Sequence, residues 1–549
     1  MSGGAPMRLL SMPRLRHPSA TLVAALVLVV GFAGLSLTRH DVTARVGRDA
    51  AVRAVLARPP LARVLARGER WTSARVTPVD RTETRVSFFD GPRIVAEATV
   101  SPRGRAGRFI DFRALLTPYG APLSQRPWMI ALGCLAFLLA TAVVPLRRLR
   151  NLDALALLGF VVPMILLDGR FALASALSAL PSLLWLTGRC AWRALAPERP
   201  AGDVVARPLL DALTPAWTDA QRVRVLRVAV AAAAAAVAMV TISAPYTVDV
   251  GQAVMEGGTL LLHGMLPYGH LPGDVFHGDT YPLLSYAAYM PLAALMPVRD
   301  NWDVANGALY VAAGSAVLVA WLLARGASAG ALRAALAWLA FPPLLAAASS
   351  GTSDLLLAAL LMGALVLAQR RLASSALLIA AGWFKLVPFA LLPVWLARLR
   401  GRRLAAALVL LAASALATWA ALVALGGPHA PARMLHAIGY QLDRRSLESP
   451  WLLLGIEPLQ PLAQAGVLAL IAAATVRARR EPAFAADPAR LAALAGAVLL
   501  GVQLCGNYWT YLYLAWALPC VVLSLLAEAP EAASARAVAP LPTRAPALV

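Results

Sequence analysis

The sequence predicts an all-α polytopic membrane protein of about twelve transmembrane helices plus a re-entrant hairpin, with a small α+β extracytoplasmic domain near the N-terminus. Three observations carry this expectation. The 549-residue chain is 60% hydrophobic and only 14% charged. Its apolar residues fall in repeated runs of about 20, the length that crosses a hydrocarbon core. The cations, 50 Lys and Arg against 28 Asp and Glu, give a formal charge of +22, and most of them gather at the ends of those runs or in the first soluble region. Charge so placed fixes orientation and meets anionic membrane lipids, and implies no nucleic-acid partner.

Among the 50 cations a single lysine, Lys385, stands against arginines throughout. With the high alanine content this points to a GC-rich genome, and an ammonium that survives such drift is a candidate functional group. Cys134, Cys190, Cys505 and Cys520 lie in or beside apolar segments, so no disulfide framework is implied.

In chain order, Arg8, Arg14 and Arg16 precede an apolar run at 20–38 with no clear cleavage site, which reads as an uncleaved anchor (1–39) with its N-terminus in the cytoplasm. Residues 40–126 form the extracytoplasmic domain. A helical pattern breaks at Pro59-Pro60, and RVSFFDGPRIVAEATV reads as two strands around Asp90-Gly91. The domain shows no nucleophile–base pairing and no metal spacing, so its expected role is structural or regulatory.

Accessory spans follow at 127–145, 152–168 and 171–188, then a cytoplasmic linker to residue 224 and a span at 225–244. The segment 282–298 is short and interrupted by Pro291, and the arginines around it favour an interfacial course. Spans are expected at 303–324, 334–348, 354–369, 403–425, 459–476, 489–506 and 508–527. Residues 372–397 have Arg370 and Arg371 before them and Arg398, Arg400, Arg402 and Arg403 after, so they are expected to form the re-entrant hairpin, turning near Lys385 and Pro388. The 528–549 tail, rich in Ala and Pro, reads as disordered and cytoplasmic.

This topology brings five polar clusters to the outer face. They are an island at 246–289, SSGTSD at 349–354, Lys385, QLDRRSLESPW at 441–451, and Gln503 with Asn507, Tyr508 and Trp509. The island holds His263, His270, His277, Asp249, Glu256, Asp274 and Asp279. Asp249, just beyond a span, is the candidate general base. His270, Asp274, His277 and Asp279 are of types that bind Zn or Mn, but their spacing matches no closed motif. Hydrogen bonding to a hydroxylated or phosphorylated substrate is the expected role, with no metal and no cofactor. Tyr268, Tyr281, Tyr286 and Tyr289 are either sugar-stacking platforms or an interfacial aromatic belt.

Lys385, Arg444 and Arg445 are candidates to hold a phosphate, the arginines being open equally to lipid headgroups. Asp354 is either a functional membrane carboxylate or a helix cap. Glu256, Asp443 and Asn507 complete the candidate substrate-binding set. No phosphate-binding glycine loop, GxGxxG or GxSxG stands out, which disfavours ATP-driven transport, dinucleotide chemistry and α/β-hydrolase chemistry.

The order of these elements over about residues 225–527 resembles the GT-C superfamily of membrane glycosyltransferases, closest to the family 87 type found in actinobacteria. The residues that carry the resemblance are Asp249, Gly264-Met265-Leu266-Pro267-Tyr268, Tyr281-Pro282, the stretch SSGTSD (349–354) and WFKLVP (383–388). The resemblance implies a GT-C-like core and an inverting transfer of a mannose-like sugar from a polyprenyl-phosphate donor to a lipid or glycan acceptor of the cell envelope, at the extracytoplasmic side of the plasma membrane. By the same resemblance Asp249 deprotonates the acceptor, while Lys385 and Arg444 stabilise the departing lipid phosphate. The alternatives are a transporter or flippase of lipid-linked sugars and a non-catalytic envelope-assembly protein.

Overall fold

The computed structural model describes residues 46–59, 71–78, 83–111, 126–196, 206–244, 247–271, 278–296, 301–443, 446 and 449–526; Arg108, Ile110, Asp111, 301–305, Leu442 and Asp443 are described by backbone alone. The anchor expected at 20–38, the tail, and Asp274, His277, Arg444 and Arg445 lie outside the described residues.

The chain is mostly helical, 73%, with a small sheet. The sheet belongs to the first soluble region and is an antiparallel meander of four strands in chain order: β1 (Ser73–Pro78), β2 (Thr84–Asp90), β3 (Arg93–Val100) and β4 (Ala106–Asp111). The hairpin expected at Asp90-Gly91 is the β2–β3 turn; Asp90 pairs with Arg93, and Gly91 takes the positive φ of 55° that a tight turn needs. The strands do not alternate buried and exposed as the sequence pattern implies. Both faces of β2 and β3 are buried, and the second face holds an Arg85–Glu97 ion pair at 3.1 Å with Ser87 donating to Glu97 at 2.9 Å. Helix Arg48–Leu56 packs Ala51 and Val55 against Val86, Phe88 and Ala98 on the first face.

Among the described residues six helices are long and apolar enough to cross a membrane: Leu149–Asp168, Asp219–Ile242, Asn306–Ala324, Gly401–Gly426, Glu457–Arg480 and Pro488–Cys505. A seventh candidate is a helix pair, Ala329–Ala340 and Pro342–Ser349, bent by 57°. This is six or seven spans, and the count of about twelve read from hydropathy is not reached. Of the expected spans, 20–38 lies outside the described residues, 171–188 falls in the 24-residue helix Ala172–Leu195, which is not among the candidates, and three others are too short. The expected spans at 127–145, 354–369 and 508–527 fold as the helices Pro127–Thr141, Asp354–Val366 and Tyr511–Leu526 of 10–17 residues, and a helix of 15 residues spans only about 22 Å against roughly 30 Å of hydrocarbon. Pro488–Cys505 runs through the centre of the bundle, whereas Gly401–Gly426 has 6% of its apolar window buried by protein and lies at the periphery.

Two local features bear on the sequence reading. The described part of the 282–298 segment, 282–296, forms the short helices Leu283–Ala287 and Met290–Leu295. Residues 372–397 fold back on themselves: helix Arg371–Phe384 ends at Lys385, Val387–Ala397 returns, and Arg371 Nη1 donates to the Arg398 carbonyl at 2.9 Å.

Candidate functional site

Three sequence-distant segments meet at one end of the bundle. The Asp249–Leu262 helix begins where Val248 N–H donates to the Ser350 carbonyl at 2.8 Å, and the Thr247 hydroxyl donates to the same oxygen at 3.1 Å. Gly351 takes a positive φ of 68°, and a Cβ there or on Gly251 would collide with Thr247. Small residues therefore permit this close approach. The turn that follows, Thr352-Ser353, starts the helix Asp354–Val366.

Asp354 is 1% exposed, and three donors converge on its carboxylate. The Lys385 ammonium forms an ion pair with Oδ1, Trp516 Nε1 donates to Oδ1 at 2.6 Å, and the Thr352 hydroxyl donates to Oδ2 at 2.5 Å. Lys385 is 6% exposed and sits at the break of the fold-back, its ammonium 5.1 Å from the Tyr281 ring centroid and 5.6 Å from that of Trp516. A buried carboxylate and ammonium survive only when paired and further hydrogen-bonded, and here each neutralises the other between aromatic faces.

Asp249 differs in kind. It is exposed, its Oδ1 accepts only the neighbouring Val250 N–H at 2.8 Å, and Oδ2 has no described partner. Asp249, Gln252, Glu256, Thr259 and His263 share one face of their helix by their spacing. The opposite face packs Gly257 and Gly258 onto Tyr286 and Tyr289. Glu256 is half-buried and engaged with neighbouring groups.

Most of the expected aromatic platforms are struts. Tyr268 is 2% exposed, and its hydroxyl donates to the Tyr281 carbonyl at 3.0 Å. Burial, and after it the nearby Asp279 carboxylate, pushes the Tyr268 phenol well above its ordinary range. Tyr286 is buried and donates to the Gly278 carbonyl at 2.6 Å, and Tyr289 is buried as well. Only Tyr281 of the four keeps a half-exposed ring, over Lys385. The 441–451 segment reaches the island where Gln441 Nε2 donates to the Thr280 hydroxyl at 2.7 Å. His270 is exposed, in a turn closed by its N–H to the Pro267 carbonyl at 3.0 Å, and Asp279 is half-buried.

Asn507 is held apart from the ion pair: its Oδ1 accepts from Gln460 Nε2 at 2.7 Å. The link from its loop to the site is aromatic, Tyr513 stacking on Trp516 with centroids 4.5 Å apart. Thr352 and Gln441 fall within the polar clusters at 349–354 and 441–451, whereas Trp516 is a site residue that the sequence did not single out. Trp516 lies within an apolar helix, and nothing in its neighbourhood in the chain signals the polar partner that its indole N–H meets.

The small sheet stands at this same end. Ile94 N–H donates to the Arg170 carbonyl at 3.1 Å, Arg93 lies 5.1 Å from the Phe171 ring centroid, and the adjacent Asp168 receives the Tyr511 hydroxyl at 3.5 Å. The chain matches no protein-family model, no curated protein and no solved structure.

Proposed function

We propose that the chain is an inverting membrane glycosyltransferase that moves a mannose-like sugar from a polyprenyl-phosphate donor to a lipid or glycan acceptor of the cell envelope, on the extracytoplasmic face of the plasma membrane. The observation that carries this reading is the contrast between two carboxylates at one end of the bundle. Asp249 is exposed and uncommitted, and across the 350–354 turn Asp354 is buried and fixed to Lys385. An exposed carboxylate beside a rigid polar cluster is suited to proton abstraction.

In this reading Asp249 takes the acceptor hydroxyl proton as that oxygen attacks the anomeric carbon. The bond from that carbon to the phosphate oxygen breaks, its electron pair leaves with the polyprenyl phosphate, and the configuration inverts. A phosphate leaving group needs electrostatic stabilisation more than protonation. The Lys385 ammonium is already bonded to Asp354, so its part is to hold Tyr281 and the fold-back in place. Direct phosphate contact falls to Arg444, three residues beyond Gln441 in the chain. Glu256, on the same helix face as Asp249, is a group for sugar hydroxyls, and His270, Asp279 and Asp443 are further candidates for that role.

The test is transfer of labelled sugar from a polyprenyl-phosphate donor in membranes carrying Asp249→Asn. Because Asp249 makes only a local backbone contact among the described residues, the variant is expected to fold and to lose roughly 100-fold or more in rate, the usual worth of a general base; full turnover would overturn the assignment. A second reading, transport of a lipid-linked sugar, is favoured by the bent helix pair and the break at Lys385, since transporters build sites from broken helices. Uptake into proteoliposomes with no covalent product would select it.

A further inference from the structure

At the end of the Asp354–Val366 and Arg371–Phe384 helix pair away from Lys385, about 20 Å along the axis, the chain builds a second charged feature. Arg371, Arg398, Arg400, Arg402 and Arg403 line a cleft of about 340 Å³ with Leu399. Among the described residues none of the five makes an ion pair. On the 479–487 segment whose carbonyls Arg398 and Arg400 meet, the carboxylates are already engaged, Glu481 with Arg477 at 2.7 Å and Asp487 with Arg490 at 3.6 Å.

Part of this cationic set is structural. Arg398 Nε donates to the Ala485 carbonyl at 2.9 Å and Nη2 to the Ala368 carbonyl at 2.5 Å. Arg400 Nη1 donates to the Ala397 carbonyl at 3.0 Å and Nη2 to that of Arg479 at 2.5 Å. These bonds close helix C-termini, but they supply no negative charge. Arg398 is 2% exposed and yet its Nη1 has no partner, an orphaned donor on a buried cation. Arg402 and Arg403 are exposed and make no side-chain hydrogen bond among the described residues.

The backbone adds to this demand. Gly401 takes a positive φ of 50° and opens the 26-residue helix Gly401–Gly426, whose N-terminus has no side-chain cap. Two arginines in that first turn oppose the helix dipole, so the helix end and the guanidiniums both call for an anion. Burial and then Arg371 push the Arg398 guanidinium down to about 10, and burial, Arg479 and Arg371 lower Arg400 in the same sense. A cation crowded by like charges without a counterion behaves in this way.

We propose that this cleft is a binding site for a phosphate group, gripped by Arg402, Arg403 and the free Nη1 of Arg398 at the N-terminus of the Gly401–Gly426 helix. Guanidiniums match phosphate oxygens in bidentate fashion, and the cleft volume lies at the lower end of ordinary ligand sites. The helix it caps is a candidate membrane span that protein barely covers, so the cleft opens at a membrane–water boundary. The same phosphate chemistry is offered there by a lipid headgroup and by a soluble phosphate.

The experiment uses the full chain purified in neutral detergent. One arm adds phosphatidic acid, with diacylglycerol as its phosphate-free control, and reads bound lipid by native mass spectrometry. The other arm titrates inorganic pyrophosphate and reads thermal unfolding. Saturable binding of one equivalent in either arm is expected, and the responding arm names the source. The Arg402→Gln/Arg403→Gln variant, altered only at exposed side chains, should bind at least tenfold more weakly while unfolding at the same temperature without ligand. Removing two cations elsewhere, as in Arg103→Gln/Arg105→Gln, should leave binding unchanged. No binding in either arm, binding indifferent to Arg402 and Arg403, or an equal loss in the Arg103/Arg105 variant would overturn the site.

Discussion

At the residue scale the decisive pair is Asp354 and Lys385. Removing one member of a buried ion pair leaves an uncompensated charge, at a cost of about 3–5 kcal/mol. Asp354→Asn and Lys385→Met should therefore each lower the thermal unfolding temperature strongly. The double variant should recover most of that loss, because the amide introduced at position 354 still offers an oxygen to the Trp516 indole and no lone charge remains. Additive losses would mean that the two groups are not coupled in the folded protein. Lys385 was legible in the sequence because it is the single lysine among 50 cations. Its partner was legible only as a carboxylate opening a helix, with a cap as the competing role. Tyr268 shows the opposite limit: composition marks a tyrosine in a polar loop, but only packing decides that its hydroxyl ties down the Tyr281 carbonyl.

At the scale of elements, the contact between the Asp249 helix and the 350–354 turn positions the proposed base. Gly351 combines a positive φ with a close approach to Thr247. Gly351→Ala incurs the left-handed backbone penalty of about 1–2 kcal/mol and a steric clash besides. It should lower the unfolding temperature and, in a transfer assay, reduce activity more than its stability loss accounts for; an activity loss no larger than the loss of folded protein would separate this contact from function. The fold-back at 372–397 was legible because cations flank both of its ends, and the observed Arg371–Arg398 bond is the same fact in three dimensions. The number of spans was not legible. Hydropathy records that a run is apolar but not where its helix stops, and the chain stops helices at Thr141 and at Val366, short of the expected ends at 145 and 369.

At the scale of the whole molecule, the two ends of the bundle carry different sites. One carries Asp168, Asp249, Asp354 and the small sheet; the other carries Arg371, Arg398, Arg400, Arg402, Arg403, Arg477 and Arg479 about its loops. The proposed transfer, with the arginine-rich loops kept on the cytoplasmic side, puts the sheet and Asp249 outside. The native thiols leave a low background for testing this, since Cys190, Cys505 and Cys520 are buried and Cys134 is half-buried. A thiol placed at the β2–β3 turn by Gly91→Cys should react with a membrane-impermeant maleimide on intact cells. One placed by Arg403→Cys should react only after the membrane is opened. The reverse pattern would put Asp249 in the cytosol, where a polyprenyl-phosphate donor presented at the outer surface is out of reach, and the proposed transfer would fail on orientation alone.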